Sequence, residues 1–190
     1  SSFWFNFFSE YNSHYVSTGL DFDFSKYEDF SNLDKKILQR STIVKKAKRI
    51  DMECVVRGYI TGSAWSEYKD HQTMNGMELE KNIIEAEEFE TPFFTPSTKA
   101  SEGHDEPLTK KEGQNLIGKD LYQKLKDISI NIYNKAQSYC LKKGIILADT
   151  KFEFGLIDNK IILIDEVLTP DSSRFWKSDD YSAGKSPNPF

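Results

Sequence analysis

Two alternating runs, "IILADTKFEFG" (145–155) and "KIILIDEV" (160–167), flank the dipeptide Asp158-Asn159. Asp and Asn suit tight turns, and the runs on either side are rich in β-branched residues, so the segment reads as a β-hairpin. Successive side chains of a strand point to opposite faces. Asp149, Lys151 and Glu153 therefore share one face, and Thr150, Phe152 and Phe154 the other. Placing Ile157 opposite Ile161 sets Glu153 across from Asp165, and Phe154 across from Ile164. Two carboxylates side by side repel unless a cation lies between them. Mg²⁺ suits such a pair, because it takes one or two carboxylates together with substrate phosphates and water. A solvated face laced with cross-strand salt bridges produces the same alternation, so the pattern alone leaves both readings open.

The rest of the chain supplies the scaffold. Phe3, Trp4, Phe7, Phe8, Tyr11 and Tyr15 recur at helical spacing and predict an amphipathic helix docked on a core. An Asp-rich stretch follows, and "STIVKKAKRIDMECVVRGYI" reads as strands. "TGSAWSEYKDHQ" reads as a tight turn running into a short helix. "TPFFTPSTKASEGHDEP" contains three prolines and reads as a loop. Lys119 to Lys143 is the clearest helix, with Leu121, Leu125, Ile128, Ile132, Ala136, Tyr139 and Cys140 three or four apart and Gly144 as its stop. Beyond Pro170 the pattern turns irregular. Strands with segregated helices predict an α+β fold, an antiparallel sheet with flanking helices.

Charge and composition narrow the function classes. The net charge of −5 argues against a nucleic-acid partner, which calls for a basic footprint. Charges interrupt every apolar run before it reaches transmembrane length, so no membrane partner is expected. Cys54 and Cys140 are isolated and read as reduced thiols in apolar settings, as in a cytoplasmic protein, without disulfide or zinc spacing. "GSA" lacks the G-x-S-x-G elbow of a serine nucleophile.

Arg57 stands in the otherwise apolar strand "ECVVRGYITGS", which ends at a Gly–Ser turn carrying Ser63. Arg174 follows the hairpin beside Ser172 and Ser173. Arginine is shaped for two-pronged recognition of phosphate or carboxylate, and Ser hydroxyls add donors. Each Arg alone is more often an ion-pair residue; the two form a phosphate-ester site only if the fold brings them together. His104 lies among Glu102, Asp105 and Glu106 and reads as an exposed loop residue or a metal ligand.

Four segments in order, "ECVVRGYITGSAW", "FFTPSTKASEGHDEP", "GIILADTKFEFG" and "LIDEVLTPDSSRFW", resemble the successive motifs of the SAICAR synthetase family, in wording nearest its longer, fungal-like branch. The resemblance implies an ATP-grasp-like catalytic domain and a cytoplasmic ligase of de novo purine biosynthesis. Such a ligase joins L-aspartate to the carboxylate of CAIR through an acyl phosphate, converting ATP to ADP and phosphate with Mg²⁺. Carried over residue by residue, it implies that Arg57, Ser63, Ser173 and Arg174 hold CAIR and its phosphate. Asp149 and Lys151 would act as the catalytic pair at its imidazole and carboxylate. Glu153 and Asp165 would bind the metal and ATP, Lys99 would reach the ATP phosphates, and the His104–Asp105 loop would lie near the site.

Asp51 stands where the family usually has Pro. The resemblance also implies that this chain is a fragment, lacking the Gly-rich N-terminal lobe and the C-terminal helices of the family's full length. Residues 1–50 would then be the tail of that lobe and a linking strand, and residues 51–190 the central ligase domain. A non-catalytic phosphate-ligand-binding remnant of the same fold and a general Mg–ATP phosphotransferase are the alternatives. The sequence specifies no oligomeric state.

Overall fold

A computed structural model describes residues 1–27, 30, 33–99 and 105–188. The chain runs α1 (Ser2–Phe7), β1 (Tyr15–Thr18), α2 (Lys35–Leu38), β2 (Thr42–Val44), β3 (Lys48–Arg49) and β4 (Met52–Tyr59). It continues through α3 (Gly62–His71), β5 (Thr73–Met74), β6 (Met77–Glu78), β7 (Glu88–Phe94) and β8 (Ser97–Thr98). It ends with α4 (Lys110–Ile117), α5 (Lys119–Leu141), β9 (Ile145–Ile157), β10 (Lys160–Ile164) and β11 (Ser173–Lys177). Every pairing between these strands is antiparallel. The α+β architecture expected from the sequence is the one observed.

The long strand β9 organises the sheet. One of its edges pairs with β4 through residues 149–152 and with β3 near Gly155. Its other edge pairs with β11 through residues 145–150 and with β10 through residues 153–157. Between these two partners, residues 165–171 loop away from β9, and the Lys151 N–H donates to the Ser172 carbonyl at 2.9 Å. The core lies on one face of the sheet. Met52, Cys54 and Val56 of β4 and Phe152 and Phe154 of β9 pack there against Leu125, Ile132, Tyr133 and Ala136 of α5. Alternation then commits the intervening residues, Glu53, Arg57, Asp149, Lys151 and Glu153, to the opposite face. Gly58 shares the core face, where a Cβ would stand 1.9 Å from the Tyr133 hydroxyl. That hydroxyl donates to the Leu147 carbonyl at 2.6 Å.

Four expectations change. The hairpin register is shifted by one: Ile157 pairs with Lys160, so Glu153 lies opposite Ile164 and Phe154 opposite Leu163. Asp158 and Asn159 both take left-handed φ, +49° and +61°, closing a two-residue loop whose twist matches the flanking strands. The N-terminal helix stops at Phe7, and Tyr15 begins β1. Phe5 and Phe8 are its anchors in the core, while Phe3 and Phe7 stay largely exposed.

"TPFF" is strand rather than loop. β7 is the last strand on its side of the sheet, and an edge strand tolerates the missing N–H of Pro92. The chain after Pro170 also resumes strand structure, because β11 completes the edge of β9 that β10 leaves open. Helix α4 begins with a reciprocal capping box between Thr109 and Glu112, a T-x-x-E signal present in the sequence.

Candidate active site

Arg57 and Asp149 are register partners on neighbouring strands, so their side chains rise together from the polar face. Arg57 Nη1 donates to Asp149 Oδ2 at 3.0 Å. Its Nε reaches the Thr95 hydroxyl at 3.0 Å, and its Nη2 reaches the Ser63 hydroxyl at 3.2 Å. Arg174, paired with Asp149 from the β11 side, donates to the same Oδ2 at 3.2 Å. Two guanidinium groups thus share one carboxylate oxygen, leaving a local excess of positive charge. Burial pushes the Asp149 carboxyl above its ordinary range, opposed by Arg57 and Arg174.

Gly62 makes this convergence possible. Its φ is +59°, and a Cβ there would stand 2.9 Å from Arg174 Nη2. Arg57, Ser63, Asp149, Lys151, Ser172, Ser173 and Arg174 line one cavity of about 360 Å³. A neighbouring cavity of about 740 Å³ shares Arg57 and Ser63 and adds Glu53, Thr95 and Asp105. The two Ser-flanked arginines of the sequence are therefore brought together.

A second cluster continues the face. Lys99 Nζ donates to Glu153 Oε1 at 2.6 Å and to Glu53 Oε1 at 2.9 Å. Lys151 Nζ donates to the same Glu53 oxygen at 3.3 Å. The hydrogen bond to Glu153 raises the Lys99 ammonium above its ordinary value, with Glu53 adding to it. A lysine of the chain itself thus lies between the Glu53 and Glu153 carboxylates.

Asp165 stays near Glu153 despite the register shift. The strand ends at Ile164, and Asp165 takes φ +61°, which swings the chain out of the pleat. Its carboxyl acts on that of Glu153 through like charge. Together with burial, the larger influence, this raises the Glu153 carboxyl above its ordinary value. His14, which the sequence did not single out, donates from Nε2 to the Asp165 backbone carbonyl at 3.1 Å.

Glu53 was also missed, although its spacing from Arg57 places both on one strand face. Thr95 was missed because its segment read as loop. His104 lies outside the described residues.

The donor chemistry fits a magnesium ion. Among the described residues no group of three or more His, Cys, Asp and Glu side chains gathers as a ready cation site. Glu153 and Asp165 offer two carboxylates, the number that Mg²⁺ takes when phosphates supply the remaining ligands. Two mutually repelling carboxyl groups beside an ammonium form a place that a divalent cation would relieve.

The family model described as SAICAR synthetase matches residues 1–190. The chain belongs to the SAICAR synthetase family. Among curated relatives, the phosphoribosylaminoimidazole-succinocarboxamide synthase of Leptospira interrogans is 48% identical over 184 residues, covering 97% of this chain and 63% of that protein. The chain therefore spans just under two thirds of that relative's length.

Among solved structures, the SAICAR synthase of Saccharomyces cerevisiae complexed with SAICAR superposes with a TM-score of 0.88 at 42% identity. It covers 99% of this chain and 64% of that one. A SAICAR synthetase in complex with ADP superposes with a TM-score of 0.72 at 26% identity, covering 96% of this chain and 66% of that one. The antiparallel sheet is thus that of the ATP-grasp-like SAICAR synthetase fold. Among the described residues no helix is long and apolar enough to cross a membrane.

Proposed function

We propose that the protein carrying this chain is an ATP-dependent ligase that joins L-aspartate to the carboxylate of CAIR, yielding SAICAR, ADP and phosphate. The observation that carries the reading is the gathering, on one sheet face, of a two-arginine anion site and a lysine–carboxylate cluster. A phosphate ester and a nucleotide triphosphate call for such neighbours. The relatives' names and their complexes with SAICAR and ADP support the same substrates.

A carboxylate is a poor electrophile, so the acceptor needs a leaving group. In the reaction proposed, a carboxylate oxygen of CAIR attacks the γ-phosphorus of ATP, ADP departs, and an acyl phosphate forms. The aspartate amine then attacks the acyl carbon, and phosphate leaves. Arg57 and Arg174, with Ser63 and Ser173, hold the phosphate of CAIR. Asp149 orients both guanidinium groups, and Lys151 lies beside the reacting carboxylate. Lys99 faces the ATP phosphates. Glu153 and Asp165 would hold Mg²⁺, which when bound neutralises charge on the transferring phosphoryl group.

Residues 51–190 form the central ligase domain in this reading. Residues 1–50 form the tail of an N-terminal lobe with its linking strand; β1 and β2 make a separate two-stranded sheet. The free, buried Cys54 and Cys140 suit a reducing cytoplasm.

Oxygen-18 placed in the CAIR carboxylate tests the chemistry. One labelled oxygen per turnover is expected in the phosphate released. Unlabelled phosphate alongside SAICAR formation would exclude the acyl phosphate.

A further inference from the structure

Glu53 has no role in the reaction as described so far, yet it holds two of its lysines. It is 4% exposed, on the strand that carries Arg57. Its position follows from register. Glu53 pairs with Ser97 of β8, which puts Lys99, two residues on, within reach. Val55, two residues along the same face, pairs with Lys151 of β9. Both ammonium groups converge on Glu53 Oε1, at 2.9 and 3.3 Å. Among the described residues, the other oxygen has the Ser97 hydroxyl as its one hydrogen-bond partner, at 3.5 Å.

A row of alternating charge results: Lys151, Glu53, Lys99, Glu153. Lys151 belongs to the cavity containing the arginine pair, and Glu153 to the pair proposed for the metal. A carboxylate withdrawn from water is costly unless it is paired, and scaffold stability alone is served as well by an apolar residue of similar volume. A carboxylate at this junction does what an apolar residue cannot. It fixes two flexible lysine side chains at a set separation. It also divides Lys99 between two acids, so that Glu153 does not hold the ammonium alone.

Resting on the ligase reading above, we infer that Glu53 is a positioning residue that sets the places of Lys99 and Lys151 relative to each other. It thereby aligns the nucleotide phosphates with the acceptor carboxylate. Glu53 touches neither substrate and acts through the two lysines.

The test uses the full-length protein and compares Glu53→Gln, Glu53→Asp and Lys151→Met with the double variant Glu53→Gln/Lys151→Met. Gln keeps the shape and an acceptor oxygen but removes the charge. Asp keeps the charge on a side chain one methylene shorter. For Glu53→Gln, kcat is expected to fall about 10- to 100-fold, as small misplacements of reacting groups do, with the KM for CAIR changed less than about threefold. Calorimetry should show weaker Mg–ATP binding, because Lys99 is left to Glu153 alone. Glu53→Asp should recover part of kcat. The loss in the double variant should fall short of the two single losses combined, since the part of Glu53 that acts through Lys151 has nothing further to lose and only the part through Lys99 remains.

Fully additive losses in the double variant, or a loss of kcat matched by a comparable loss of thermal stability, would overturn the positioning role. So would unchanged kcat and Mg–ATP affinity in Glu53→Gln. Mg–ATP binding by the unsubstituted protein without CAIR-dependent ADP release would instead overturn the ligase reading, and the calorimetric comparison would still decide the role of Glu53 in placing Lys99.

Discussion

Glu153 pairs across the hairpin with Ile164, yet the like charge of Asp165 still acts on its carboxyl. Strict alternation from this register would send Asp165 to the core face. The left-handed φ of Asp165 ends the strand at Ile164, so strict alternation no longer governs its side chain. Asn tolerates this backbone region nearly as well as Asp. Asp165→Asn should therefore keep the fold, with a melting temperature close to that of the parent. It should weaken Mg–ATP binding by about tenfold or more, since even partners one step removed from a metal are worth that much. Calorimetry with Mg–ATP checks it; unchanged affinity would remove Asp165 from the metal site.

The arginine pair has a pH signature. Burial raises the Asp149 carboxyl above its ordinary value. A raised carboxyl favours the folded state while protonated, and that contribution is lost as pH rises through the folded-state value. Ionised Asp149 also competes with an external anion for Arg57 and Arg174. Sulfate, which does not itself titrate near neutrality, should bind more tightly as pH falls through that value. Asp149→Asn should abolish this component. A pH dependence identical in parent and variant would contradict the competition.

Gly62 is expected to tolerate no side chain. A Cβ would meet the Arg174 guanidinium, and the φ of +59° adds strain. Gly62→Ala should cost about 1 kcal/mol or more in stability and weaken sulfate binding as Arg174 is displaced. Urea unfolding and a sulfate titration read the two effects separately.

Gly58 is a second such position, set by packing alone. A Cβ 1.9 Å from the Tyr133 hydroxyl forces Tyr133 off the Leu147 carbonyl. Gly58→Ala should destabilise by about 1–3 kcal/mol through overpacking. Tyr133→Phe should cost about 1 kcal/mol for the lost bond. In combination the two should fall short of additivity, because removal of the hydroxyl relieves the clash.

The hairpin, the long helix α5 and the polar face of β9 were legible because each rests on a local period. The register was not. Alternation fixes faces but does not count loop residues, and the two-residue Asp158-Asn159 turn moved every pairing by one. β11 escaped notice because "SSRFW" shows little alternation, and its partner lies more than twenty residues earlier. β7 was obscured by Pro92, which is acceptable only because the strand is at the edge, a fact of topology rather than sequence. Glu53 was readable: its spacing from Arg57 puts it on the same face. Its importance comes from Lys99, brought in by β8, whose two residues are too few to show a pattern.

We propose that the charged face of β9 and β4 serves an ATP-driven ligation of CAIR and aspartate. The most direct measurement follows ADP release by the full-length protein with ATP and Mg²⁺, adding CAIR and aspartate singly and together, beside the Glu153→Gln variant. The expected result is ADP release that requires CAIR, matches SAICAR one for one when aspartate is present, and falls sharply in Glu153→Gln. ADP release at the same rate without CAIR would contradict the account.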